Sequence, residues 1–202
     1  MPVAPMKPHV PTSALLDHLL AEVRAERVTL GWVIDRLGER SFGLVMLVLA
    51  LLGMLPGVSV LAGMLLAVLA AQMILGRKGP AFPPRVAGRP LSARRLARIV
   101  QWARPALRLM ERIARPRWGM PFQATKRTVG IVVLLVDALL FAPVPFSNIP
   151  PAAAIATIAV AYLEEDGMLL SVALLAGTLL LAIAAAVGWQ AMGELGWVEG
   201  IV

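Results

Sequence analysis

Two apolar stretches, each broken at its centre by prolines, limit what this chain can fold into more than any other feature. The first runs to Leu75 around Pro56-Gly57-Val58-Ser59, and the second runs to Leu163 around Pro143-Val144-Pro145-Phe146-Ser147-Asn148-Ile149-Pro150-Pro151. Each is preceded by an Arg-hydroxyl-x-Gly tetrapeptide, Arg40-Ser41-Phe42-Gly43 and Arg127-Thr128-Val129-Gly130. Proline removes a backbone donor and clashes with the preceding turn, so neither stretch continues as one helix. The arms that remain, 44–55, 60–75, 131–142 and 152–163, are twelve to sixteen residues long. A helix crossing a hydrocarbon core of about 30 Å needs about 20 residues, so no arm spans comfortably alone. Each stretch reads as a hairpin that dips into the bilayer and returns. Non-helical backbone at that depth is tolerated where protein buries it or it lines a wet cavity, so the two tips are expected to meet. The alternative is that part of a flanking helix is drawn in and each arm becomes a tilted span.

Composition agrees with a bilayer. The chain is 59% hydrophobic and 15% charged with a mean hydropathy of +0.79, above the roughly 45–50% apolar share of soluble domains. The net charge of +7 is unevenly spread. Residues 1–42 balance five bases against five acids, residues 77–127 hold fourteen Lys and Arg against Glu111, and residues 128–202 hold six acids and no base. By the positive-inside rule the central segment is cytoplasmic. Residues 1–42 show no apolar signal-peptide core, so the N-terminus is expected in the cytoplasm too. The chain has no cysteine, which excludes disulfides and thiolate chemistry. Nucleic-acid binding is a poor account of the basic block, because apolar segments flank it and no binding module is recognisable.

The repeat extends beyond the apolar arms. Pro11-Thr12-Ser13-Ala14 and Pro90-Leu91-Ser92-Ala93 each open an amphipathic helix, the second with an Arg-rich face interrupted at Pro105 and Pro116. Such a helix suits an anionic membrane surface. The openings lie 79 positions apart and the Arg tetrapeptides 87, so the match needs gaps. Units of about 11–80 and 90–167 are followed by an uncharged run from Met168 to Val187 with Trp189 and Trp197 as interfacial residues. The expected fold is an all-α integral membrane protein forming a single domain, residues 1–202. It has two amphipathic-helix plus Pro-broken re-entrant hairpin units, with inversion left open, and a C-terminal transmembrane helix at 168–189. Gly177 and the neighbouring alanines permit close helix packing, either within the chain or in a homodimer.

Candidate functional residues follow from depth and polarity. Asp137 lies within the second hairpin's first arm, where a carboxylate is costly and reads as functional by default; it could carry a proton or neutralise a cation, or pair with an arginine. Ala50 stands at the matching place in the first hairpin. Ser147, Asn148 and Pro145 at the second tip, with Gly57 and Ser59 at the first, offer hydroxyl, amide and freed backbone groups to a small cation or zwitterion, or simply reverse the chain. Gln72 and Tyr162 could bond a solute at the bundle centre or hold helices together. Arg40 and Arg127, with Glu165 and Asp166, are gating or ion-pair candidates, the arginines otherwise snorkelling at the membrane edge. His9 and His18 lie outside the apolar region without metal-ligand spacing, and no nucleophile elbow, Walker loop or dinucleotide fingerprint occurs. Neither a cofactor, a bound metal nor an enzymatic activity is expected.

Gly38-Glu39-Arg40-Ser41-Phe42-Gly43, Pro56-Gly57, Gln72-Met73-Ile74-Leu75-Gly76-Arg77, Leu91-Ser92, the proline-rich run 143–151 and Glu165-Asp166-Gly167 together resemble the exopolysaccharide synthesis ExoD family of bacterial inner-membrane proteins. The likeness covers about residues 13–190. It implies a multi-pass inner-membrane location and a role in exopolysaccharide production, and brings no catalytic residues. The paired Pro-broken hairpins also point to a proton-coupled secondary transporter of a cationic or zwitterionic solute such as a basic amino acid, inversion bringing the tips together from opposite leaflets. The chain is short for enclosing a pathway, so a homodimer in contact with membrane lipids is expected. The alternatives are a non-transport accessory protein of exopolysaccharide synthesis or export, and a membrane enzyme or scramblase acting on anionic headgroups.

Overall fold

A computed structural model describes residues 27–55, 57–82, 88, 90–92, 122–141 and 147–199. The amphipathic openings at 12–14 and after 92, the 93–117 basic helix, and Pro143 to Phe146, Pro145 included, lie outside the described residues.

Turns aside, the described residues are helical except for one short ladder. Strand β1 (Arg27–Thr29) pairs antiparallel with β2 (Pro90–Ser92), with Val28 opposite Leu91. Both segments were expected to be helical. At β1 the reason is local: Thr29 is extended and its hydroxyl accepts from the Trp32 amide at 3.3 Å, capping a helix that starts only at Leu30. Pro90 sits at a strand's first residue, where a missing donor does least harm. Helix α1 (Leu30–Leu37) ends at Gly38, whose positive φ of 55° lets its N–H return to the Ile34 carbonyl.

Five helices form the body: α2 (Arg40–Gly53), α3 (Ser59–Ile74), α4 (Phe122–Asp137), α5 (Ile149–Leu163) and α6 (Gly167–Glu199). A 3-10 turn, Ala138–Phe141, prolongs α4. Prolines bound α5 at its first turn, where a missing donor is harmless. The predicted arms correspond to α2, α3, α4 with its turn, and α5, except that α4 begins nine residues before Ile131.

Helix α2 packs on α5, and α3 on α4. A Cβ on Gly43 would lie 3.3 Å from the Ala159 carbonyl, and one on Gly53 would meet Ala152, so α2 and α5 run antiparallel. A Cβ on Gly130 would fall 2.9 Å from the Ala70 carbonyl, while Gly63 faces Asp137 and Phe141, so α3 and α4 are antiparallel as well. The two proline turns therefore lie at one end of the bundle, the tip, and Arg40, Ile74, Lys126 and Leu163 at the other, the base. An inverted arrangement would place the turns at opposite ends; here the hairpins stand side by side, pointing the same way. The close contacts that seat them are matched: Gly43 against Ala159 and Leu163 in one pair, Gly130 against Ala70 and Ile74 in the other.

The core is continuous across the helices and includes Phe42, Met46, Leu66, Met73, Val133, Ile155 and Ile158. Alanines 152, 159 and 161 on α5 keep it thin enough to sit among α2, α4 and α6. Helix α6 starts at the base, where the Asp166 carboxylate accepts from the Met168 and Leu169 amides at 3.0 and 3.1 Å. Gly177 then packs against Val132, Val136 and Ile158, so this glycine seats α6 within the chain, while Ala176 beside it stays exposed. At 33 residues α6 is about 50 Å long, whereas α2, α3 and α5 are about 20–24 Å. It overshoots the tip. Its segment Gly167–Gln190, with a mean hydropathy of 2.5, is long and apolar enough to cross a membrane.

Candidate functional site

The described tip residues occupy separate places. Asn148 is buried and its Nδ2 donates to the Gly53 carbonyl at 2.7 Å, satisfying a group left over where α2 ends and tying the two hairpin tips together. Gly57 is exposed at φ 83° with open space where a Cβ would stand, the geometry of a turn. Ser59 opens α3, and Ser147 is half-buried just before α5. Pro145 lies outside the described residues. Asp137 differs from all of these. It is 1% exposed at the end of α4, where the helix tightens into the 3-10 turn, and its Oδ1 has no hydrogen-bond partner among the described residues. The oxygen lies beside Gly63, and a Cβ there would stand 3.3 Å from it and 3.1 Å from Phe141. That tight packing holds an unbonded carboxyl oxygen among apolar groups, an expensive arrangement.

Gln72 and Tyr162, read as solute contacts at the bundle centre or as residues holding helices together, sit at the base. The Gln72 amide clamps Ala81, its Oε1 accepting from the Ala81 N–H at 2.6 Å and its Nε2 donating to the carbonyl at 3.2 Å. It thereby pins the chain leaving α3. Tyr162 is buried on the last turn of α5, within the electrostatic reach of Glu39 and Glu165.

The base is where charge concentrates. Glu165 accepts from Arg40 Nε at 2.9 Å and Nη2 at 2.6 Å, both bonds reaching Oε1. Its backbone is left-handed at φ 55°, a conformation costing a non-glycine residue roughly 1–2 kcal/mol, so the ion pair holds a strained turn. Asp166 is the α6 cap described above. Arg127 is exposed beside Gly76. A second pair was not anticipated. Lys126 is 1% exposed, and its Nζ donates to Glu39 Oε1 and to the Arg77 carbonyl, both at 2.8 Å, 5.9 Å from the Phe42 ring centre. Glu164 is buried nearby in sequence at 1% exposure. Glu39 and Lys126 stand immediately before the two Arg tetrapeptides; reading each motif one residue further back reveals opposite charges at matched positions. A cleft of about 460 Å³ opens beside them, with Asp35, Glu39 and Lys78 on its walls.

With this frame in place, comparison with known proteins is decisive at the level of family. The exopolysaccharide synthesis family ExoD matches residues 12–186. The chain belongs to the ExoD family. It is 29% identical to an uncharacterized protein of Synechocystis sp. over 161 residues, covering 77% of this chain and 76% of that one. It is 24% identical to Protein ExoD of Rhizobium meliloti over 168 residues, covering 79% and 70%. No solved structure matches the chain. The ExoD match takes in both hairpins, the whole base network and most of α6, so both ion pairs fall inside it.

Proposed function

We propose that the chain is a membrane-embedded, non-transport component of bacterial exopolysaccharide synthesis or export. The observation that carries this reading is the polarity of the bundle's outside. Val48, Leu51, Val60, Leu61, Met64 and Val68 on α2 and α3, and Leu175, Leu179 and Val187 on α6, are half or more exposed, while Arg40, Arg77, Lys78, Lys126, Arg127 and Glu165 gather at the base. Apolar area on this scale is covered by lipid or protein. Membership in the ExoD family supports the cellular role.

In this reading the base is cytoplasmic, because the 77–127 segment with its fourteen basic residues joins α3 to α4 there. Both hairpins enter from that side and turn inside the bilayer, since their arms are shorter than its core, and α6 alone crosses. The matched glycine contacts support duplication of one unit with the two copies parallel. The solute-transport reading finds less support: Asn148 is engaged with Gly53 and Gln72 with Ala81, at opposite ends of the bundle. Deleting the chain from its host and weighing secreted polysaccharide tests the role, with restoration by the intact gene expected; an unchanged yield refutes it. Single cysteines at positions 78 and 57, in a chain without native cysteine, test the topology. Position 78 should react only when reagent reaches the cytoplasm, and free reaction of position 57 from the same side refutes the placement.

A further inference from the structure

The two halves share a turn at the base but complete it differently. Gly76 lies two residues past the end of α3 and Glu165 two residues past the end of α5, and both are left-handed, at φ 74° and 55°. In one half Glu165 closes on Arg40, the arginine that opens α2. In the other, Arg127 of the matched tetrapeptide lies over Gly76, and a Cβ built there would stand 3.8 Å from Arg127 Nη2. A side chain at 76 would thus project toward the Arg127 guanidinium much as Glu165 projects toward Arg40, but glycine supplies none. Arg127 is exposed and forms no ion pair among the described residues, with Arg77 and Lys78 exposed next to Gly76. Neighbouring Lys126 is neutralised by Glu39.

We propose that Arg127, over Gly76 and beside Arg77 and Lys78, binds the phosphate of an anionic lipid headgroup, which takes the position the Glu165 carboxylate holds in the other half. A guanidinium offers two parallel donors to phosphate oxygens, and Gly76 places no carboxylate beside it. The site lies where the apolar flank of α3 meets the basic base, the level of headgroups in the cytoplasmic leaflet. The lipid source rests on the bilayer placement proposed above, whose failure would appear in the cysteine labelling and not in the binding assay.

The test uses the full chain in neutral detergent, with thermal unfolding followed as phosphatidylglycerol, phosphatidylcholine or inorganic phosphate is added. Phosphatidylglycerol should raise the midpoint by several degrees beyond phosphatidylcholine. Arg127→Gln should abolish that increment, and so should Gly76→Glu, which installs the acid of the matched half. Gly76→Ala, equally strained but without a carboxylate, should keep it. An increment unchanged in Arg127→Gln overturns the proposal even if Gly76→Glu fails to fold. Loss of the increment in Gly76→Ala assigns it to the backbone and overturns the proposal as well. An equal midpoint shift with inorganic phosphate overturns the assignment to lipid.

Discussion

Replacing Glu39 by glutamine leaves the Lys126 ammonium buried with the Arg77 carbonyl and a neutral amide oxygen in place of a carboxylate. The N–O separation of 2.8 Å corresponds to a gross attraction of about 6 kcal/mol at an effective dielectric constant near 20. Much of that is offset by the desolvation of both ions. Breaking a buried pair from one side costs about 3–5 kcal/mol, but the Glu39 side chain is 23% exposed, so we expect about 2 kcal/mol for Glu39→Gln. Lys126→Met should cost less, about 1 kcal/mol, because the carboxylate left behind reaches water and the methionine fills the space over Phe42. The double variant should then be no worse than Glu39→Gln alone, since it leaves no buried charge unmatched. For a chain of this size 1 kcal/mol moves the midpoint by about 2–4 °C. Melting of the detergent-solubilised chain should therefore fall by about 4–8 °C for Glu39→Gln and recover partly when Lys126→Met is added. Strictly additive losses would refute the argument, because they would mean the two charges are not coupled across the hairpins.

Gly130→Ala should lower the midpoint more than Gly43→Ala does: at 130 the new Cβ meets the Ala70 carbonyl at 2.9 Å, whereas at 43 the backbone of Ala159 and Leu163 stands at 3.3 Å and a Leu163 methyl at 3.2 Å. Overpacking of about 1–3 kcal/mol outweighs the gain of about 1 kcal/mol from helix propensity by more at 130, and equal melting of the two variants would contradict this. Asn148→Ala strands the buried Gly53 carbonyl and should cost about 1–3 kcal/mol, read as faster proteolysis at the tip turns; unchanged digestion would refute it. Asp137→Asn keeps the shape and removes a costly charge, so it should melt no lower than wild type and yet reduce polysaccharide output if the carboxylate is retained for function. A variant with full output would assign Asp137 no role there.

The hairpin arms were legible because proline and glycine punctuate them and because their lengths fall short of a span. The start of α4 was not, since Lys126 and Arg127 look like membrane-edge charges until a partner for Lys126 is known, and that partner is 87 positions away. The same holds for Gln72, whose polarity pointed to the bundle centre while its partner, Ala81, is nine residues on and at the base. Asn148 was named as a solute contact or part of a chain reversal, and the carbonyl it reaches belongs to the other hairpin. The orientation of the hairpins was hidden for a related reason. Apolar length says how far an arm reaches, whereas the glycines at 43 and 130 say which ends meet, and that becomes visible only once the opposing carbonyls of Ala159 and Ala70 are in place.

The departures from the repeat are therefore more informative than the repeat. Packing treats the halves alike: a glycine in each tetrapeptide seats against a carbonyl of the opposite hairpin, and a left-handed residue closes each returning arm. Three matched positions break the likeness. Glu39 answers Lys126, Glu165 answers Gly76, and Asp137 answers the buried Ala50. The first difference is complementary, because opposite charges at equivalent positions join the hairpins to each other. The second leaves one arginine paired within the chain and its counterpart open to an outside anion. The third adds a carboxylate whose Oδ1 has no hydrogen-bond partner among the described residues. Replacing Asp137 by alanine, or pairing Arg127, would leave every matched contact between the halves in place. Those two positions, one at the base and one toward the tip of the same α4 helix, are where the halves differ in a way that their packing does not require.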